Sequence, residues 1–281
     1  MERGQRVAVC LLAALAALAA ISAAGCSSGK ATTVTETEGE TTIIENPVGS
    51  PEDYTPQENA YIVAGRLKSL GYYRSEIKGE VVASLFGYKQ TISDIHIKNG
   101  EESYAQAISS SFLVSVGKQA LFRGREAVVR SASDVGKGEW SDDFSRMTLD
   151  EYRAEMGNEP TALSSYILND GSVLSGELIS AEEGTFTCRY EISPAAGTAR
   201  YAAKMKNYGG LDGLPEFVRC TLTLTFDGEW NPVSLTAEDE YKIKKIFSMT
   251  CRSTLTETFY DIGVPTEIPD AELFRVHFSE S

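Results

Sequence analysis

Histidine is nearly absent from this chain: there are two in 281 residues, alongside five cysteines and two tryptophans. That scarcity removes most of the raw material for a zinc centre or a Ser-His-Asp triad. Positive charge is short too, with 26 Lys+Arg against 40 Asp+Glu and a formal net charge of −14. Phosphate binding needs clustered positive charge, so this balance argues against a nucleic-acid partner. Five cysteines over such a length exclude a small disulfide-framework domain. No internal repeat, Gly-rich phosphate loop or calcium-loop pattern occurs. What remains is ordinary globular composition, 42% hydrophobic and 23% charged, in a chain long enough for a real core.

Only one long apolar run exists, residues 7–21, and it follows Arg3 and Arg6. Its 15 residues fall short of the roughly 20 needed to cross a bilayer as a helix but suit the core of a signal peptide. Small residues close it, ending Ala23-Ala24-Gly25-Cys26. This ending resembles the lipobox of bacterial lipoproteins, with Ala23 where that family usually has Leu; plain signal-peptidase cleavage without lipid is the alternative. The resemblance implies a leader over residues 1–25 and a mature chain beginning at a lipidated Cys26. Such a chain would be extracytoplasmic, anchored to the outer face of the bacterial cell membrane. Losing Glu2, Arg3 and Arg6 leaves it more acidic by one charge. An anionic bilayer repels it, so acyl chains rather than surface charge must make the membrane a partner. Residues 26–54 set six acids against Lys30 and carry prolines at 47 and 51, which reads as a disordered tether.

Residues 55–281 read as a single α+β domain. Thr55-Pro56-Gln57-Glu58 is a capping box with proline at the first helical position, and Gly71 sits where a glycine cap would end that helix. Short strands follow over 81–86, 95–98, 104–116, 119–122 and 125–131, with Asn99-Gly100 as a hairpin signal. Thr148-Leu149-Asp150-Glu151 opens a second helix, 160–168 reads as another, and a longer one runs from Ser193-Pro194 to Tyr208. The last third alternates cleanly. Val218, Cys220, Leu222, Leu224 and Phe226 oppose Thr221, Thr223 and Thr225, and Met249, Cys251, Leu255 and Phe259 oppose another threonine row. A half-covered antiparallel meander has this pattern.

Few side chains suggest chemistry. His96 falls on what reads as the solvent side of its strand, and His277 lies near the C-terminus with Arg275. Ser115-Val116-Gly117-Lys118 spells a Ser-x-x-Lys motif but ends a strand instead of opening a helix. Glu238-Asp239-Glu240 reads as a solvated acidic turn, and Lys242, Lys244 and Lys245 with Arg123, Arg125 and Arg130 as solvated strand faces. Cys188, Cys220 and Cys251 fall on apolar strand faces; outside the cytoplasm one pair, left open here, is free to bridge and leave the third thiol buried. No catalytic residue, metal site or cofactor is expected.

The order of lipobox, acidic tether, amphipathic helix, long meander, mid-chain helices and returning strands resembles the LolA-like half-barrel lipoproteins, including the LppX and LprG type. The nearest local likenesses are Thr221-Leu222-Thr223-Leu224-Thr225-Phe226-Asp227-Gly228 and the stretch 256–269. The helix over 193–208 and the long middle insertion have no counterpart there. The resemblance implies one strongly curved antiparallel sheet, a half-barrel, with helices on its concave face around an apolar cavity for lipid acyl chains. Phe112, Val114, Phe122, Tyr166, Met205, Phe217, Leu222, Leu224 and Phe226 are the candidate lining, whether it encloses a cavity or an ordinary core. Two functions follow: binding or carriage of a lipid, glycolipid or other hydrophobic ligand without catalysis, or an envelope scaffold with a filled core and a protein partner.

Overall fold

The structure, a computed structural model, describes residues 40–84, 88–112, 115–132, 134–135, 140–156, 162–209, 211, 213–244 and 248–278. Eleven strands make one antiparallel sheet: β1 (Tyr72–Ala83), β2 (Lys89–Asn99), β3 (Glu102–Ser111), β4 (Ser115–Arg123), β5 (Glu126–Ala132), β6 (Ser145–Thr148), β7 (Val173–Glu182), β8 (Thr185–Ile192), β9 (Glu216–Asp227), β10 (Pro232–Lys244) and β11 (Ser248–Tyr260). Their order is β6-β5-β4-β3-β2-β1-β11-β10-β9-β8-β7. Two meanders therefore meet at one seam, β1 against β11, and the sheet stays open at β6 and β7. Among the described residues five α-helices accompany it: α1 (Pro56–Ser69), α2 (Leu149–Met156), α3 (Ala162–Ser165), α4 (Ala199–Gly209) and α5 (Ala271–Arg275). This is the expected α+β half-barrel architecture.

Local chemistry sets the element starts. Thr55 Oγ1 accepts from the Glu58 N–H at 3.2 Å while Glu58 Oε2 accepts from the Thr55 N–H at 2.8 Å, and Thr148 and Glu151 repeat that exchange. Gly100 takes φ +67° in the β2–β3 hairpin, which an L side chain resists. Gly79, midway along β1, lies so close to β11 that a Cβ there would strike the Thr254 carbonyl and Leu255. Strand glycines of this kind mark bends or close backbone approach. Gly71 lacks the positive φ of a glycine cap: α1 ends at Ser69 and Leu70 is already extended.

Several boundaries differ from expectation. β1 begins at Tyr72, not in the eighties, because Tyr73, Ser75, Ile77, Val81 and Ala83 alternate inward across Gly79. Residues 194–198 are turns, so the long helix starts at Ala199. The described part of the stretch read as tether, from Glu40 on, is packed against the domain. The Thr42 N–H donates to the Leu168 carbonyl at 2.7 Å, and Asn169 Nδ2 donates to the Glu40 carbonyl. Gly65 of α1 leaves room for Ile43, which a Cβ would displace. Four Thr and Ile residues at 41–44 give this segment apolar surface that the acidic stretch before it lacks.

Register assigns every strand residue to a face. One face is covered by α1, α3 and α4 over β1, β2 and β7–β11 in a large apolar cluster, and by α2 over β3–β6 in a smaller one. The opposite face is bare over most of the sheet. On β2–β5, however, the C-terminal segment folds back so that Ile268, Ala271 and Phe274 bury Ile97, Tyr104, Leu121 and Val128.

Candidate functional site

Among the described residues the two clusters on the helix-covered face stay separate. Between them β2 and β3 present Gln90, Asp94, His96, Ser103, Ala107 and Ser109 to the covered side, with Ser75 of β1 opposite His96. These positions are polar or small, yet each of the six is under a tenth exposed. The polar band continues across the seam. Glu257 of β11 accepts from Ser75 Oγ at 2.7 Å, and Asp239 of β10 lies opposite Ser253.

Several of these groups lack hydrogen-bond partners. Both ring nitrogens of His96, Oγ of Ser103, Oε1 of Gln90 and Oδ1 of Asp239 are buried and unpaired. Each such group costs on the order of 1–3 kcal/mol, which makes the cluster unusual for a core that exists only to pack. His96 is 3% exposed, its ring 5.2 Å from Tyr73 in an edge contact. Burial, with Lys98 adding to it, drives its pKa down to about 3, so the imidazole is neutral. Asp239 accepts from Tyr166 Oη at 2.7 Å and from the Ser253 hydroxyl at 3.5 Å. Burial outweighs those bonds and raises its pKa to about 6. Tyr201, on α4, is held well above the usual phenol range by burial and by the carboxylates of Asp239 and Asp94. The lid helix thus faces the polar band.

The sequence missed this band. β2 carries Ile95 and Ile97 on one face and Asp94, His96 and Lys98 on the other, and the polar row is the one facing the helices. His96 is accordingly buried, not solvent-facing, because the isoleucines are taken up under the C-terminal segment. Asp239 likewise sits mid-strand and buried; only Glu238 and Glu240 face outward. Arg130, read as solvated, is 6% exposed and pairs with Asp270 at 2.8 Å.

Among the nine candidate lining residues, Tyr166, Met205, Phe217, Leu222, Leu224 and Phe226 lie in the large cluster and Phe122 in the small one. Phe112 is 79% exposed against Tyr88, since β3 ends at Ser111 and leaves it in the turn. Val114 lies outside the described residues. Val218 is 45% exposed, because a register shift between Glu240 and Tyr241 turns Phe217 inward in its place. Ser115 and Lys118 fall on opposite faces of β4. Among the described residues no cysteine pair is bridged: Cys188, Cys220 and Cys251 are free. Cys220 and Cys251 stand two strands apart, roughly 10 Å, and Cys188 is in register with Leu224, four residues from Cys220. Among the described residues no group of His, Cys, Asp and Glu is placed to hold a metal, and no helix is long and apolar enough to cross a membrane.

The fold and this band define an α+β protein built on one open, lidded antiparallel sheet. Neither the comparison with protein-family models nor that with curated proteins gives a match. Among solved structures, a DUF1329 family protein from Desulfovibrio piger ATCC 29098 is similar over 78% of this chain and 98% of its own, at 10% identity and a TM-score of 0.27.

Proposed function

We propose that this protein is a membrane-anchored extracytoplasmic lipoprotein that binds an amphiphilic, largely hydrophobic molecule between its helices and its sheet, without catalysis. The observation that supports this is the divided interior. One face of the sheet is lidded, and among the described residues its apolar packing is split by a buried band of short and polar side chains, several of them without hydrogen-bond partners. Interiors at crystal-like density do not normally leave such a band unpaired. A bound amphiphile would supply the missing hydrogen bonds. The LolA-like resemblance of the sequence order and the lipobox at Cys26 agree with this reading.

A second reading, a scaffold with a protein partner, draws on the edge strand β7, where Leu174, Leu178 and Ile179 are 65%, 51% and 54% exposed. Exposed apolar edges invite strand addition. Native mass spectrometry of the protein purified from its own membrane separates the two. A released adduct of several hundred daltons, lost on organic extraction, is expected from a carrier. A mass that stays clean after incubation with phospholipid and glycolipid overturns the carrier in favour of the scaffold.

A further inference from the structure

The unpaired groups of the band concentrate at one place. His96 of β2 lies opposite Ala105 of β3, and Ser103 is the next residue along β3 on the same face, so the two are diagonal neighbours. Both ring nitrogens of His96 and the Ser103 hydroxyl are buried without partners. The surroundings are small: Ala105 and Ala107 on β3 and Ala120 on β4 keep the sheet surface low beside them. Apolar walls stand on both sides, Tyr73, Ile77 and Ile92 in the large cluster and Phe122 and Tyr152 in the small one. The charges flanking His96 on its own strand are one of each sign, Asp94 and Lys98.

We propose that His96 and Ser103 are the head-group site for the bound amphiphile, and that they take an uncharged hydroxyl- or ester-bearing head. This rests on the ligand-binding reading above and names the class of ligand. A neutral imidazole offers one donor and one acceptor, and a serine hydroxyl can act as either. Together they match a group that also donates and accepts, such as a glycerol hydroxyl beside an ester carbonyl. A carboxylate or phosphate would face Asp94, and an ammonium would face Lys98, so a formal charge gains on one side only what it loses on the other.

The chain's two histidines make the test direct, because His277 is exposed and stacked on Phe144, away from the band, and serves as an internal control. Full-length protein carrying 13C-labelled histidine is titrated with monoolein, with oleate and with 1-octadecene. Monoolein is expected to bind best and to shift the His96 Cε1–H signal while leaving that of His277 in place. Ser103→Ala is expected to weaken monoolein about tenfold and leave 1-octadecene unchanged. His96→Phe is expected to erase the preference between the two, and the signal in the unsubstituted chain keeps the test decisive if that variant fails to fold. Equal binding of monoolein and 1-octadecene with an unmoved His96 signal overturns the head-group site and leaves the ligand-binding reading standing. Tighter binding of oleate overturns the uncharged class. Failure of all three probes to bind overturns the binding reading itself.

Discussion

Burial holds His96 neutral by pulling its pKa down to about 3, and holds Asp239 protonated further up the scale by raising its pKa to about 6. The two act on stability with opposite sign. Between pH 6.5 and 3 the unfolded chain takes up a proton on His96 that the native state refuses, so stability falls as pH falls. Between pH 3.8 and 6 the native state keeps a proton on Asp239 that the unfolded chain has lost, so stability falls as pH rises. Each slope is about 1.4 kcal/mol per pH unit, so across pH 4–6 the pair nearly cancels. Removing one partner should expose the other. Asp239→Asn is expected to gain up to about 3 kcal/mol at pH 7 and, relative to the parent, to become more stable as pH rises from 4 to 6. His96→Phe should show the reverse trend over that window. Urea midpoints at several pH values read both, and three parallel curves would mean that neither group titrates as its burial demands.

The C-terminal segment shows what an element adds here. The Arg130 guanidinium lies under the rings of Trp140, Phe144 and Phe274, at 5.6, 5.6 and 5.2 Å, and donates to Gln119 Oε1 at 2.6 Å. Asp270, at φ +55°, completes its pairing, and Glu102 accepts from Arg275 and Arg123 at 2.6 and 2.5 Å. Burial works to raise the Glu102 pKa, but the two guanidinium groups outweigh it and leave it lowered. Phe274 is fully buried at the centre. Phe274→Ala should therefore cost about 3–5 kcal/mol. Hydrogen exchange should rise in β2–β5 while β8–β10 stay protected, and uniform loss across the sheet would show that the segment does not stabilise one half locally. This element also explains what the sequence did and did not disclose. β9 and β11 were legible because one of their faces is wet and threonine-rich. The capping boxes and the Asn99-Gly100 turn were legible because their chemistry is local. The strand at β2 was legible too, but not which of its faces meets the helices, because both faces are covered and the apolar one belongs to a segment far along the chain. The head-group candidates were invisible for the same reason: alternation marks a polar row but not which layer lies over it.

At the scale of the whole molecule, charge and anchorage bear on each other. The chain carries −14, and processing before Cys26 would make it more negative by one. With the proposed anchor at Cys26, residues 26–40 would bridge bilayer and domain over at most about 50 Å. An acidic domain held that close to an anionic surface lies within a few Debye lengths of it at low ionic strength, and its charge pushes it away. Under the proposed anchoring, retention would come from acyl chains, whose contribution grows by about 0.8 kcal/mol per buried CH2 and is indifferent to salt. Washing membranes with 1 M NaCl, where the Debye length shrinks to about 3 Å, should leave the protein in the pellet, whereas detergent should release it. Cys26→Ser should move it to the soluble fraction at any salt concentration. Release of the unsubstituted protein by salt alone would show that it is held by charge pairing with a partner, and the anchor at Cys26 would have to be abandoned.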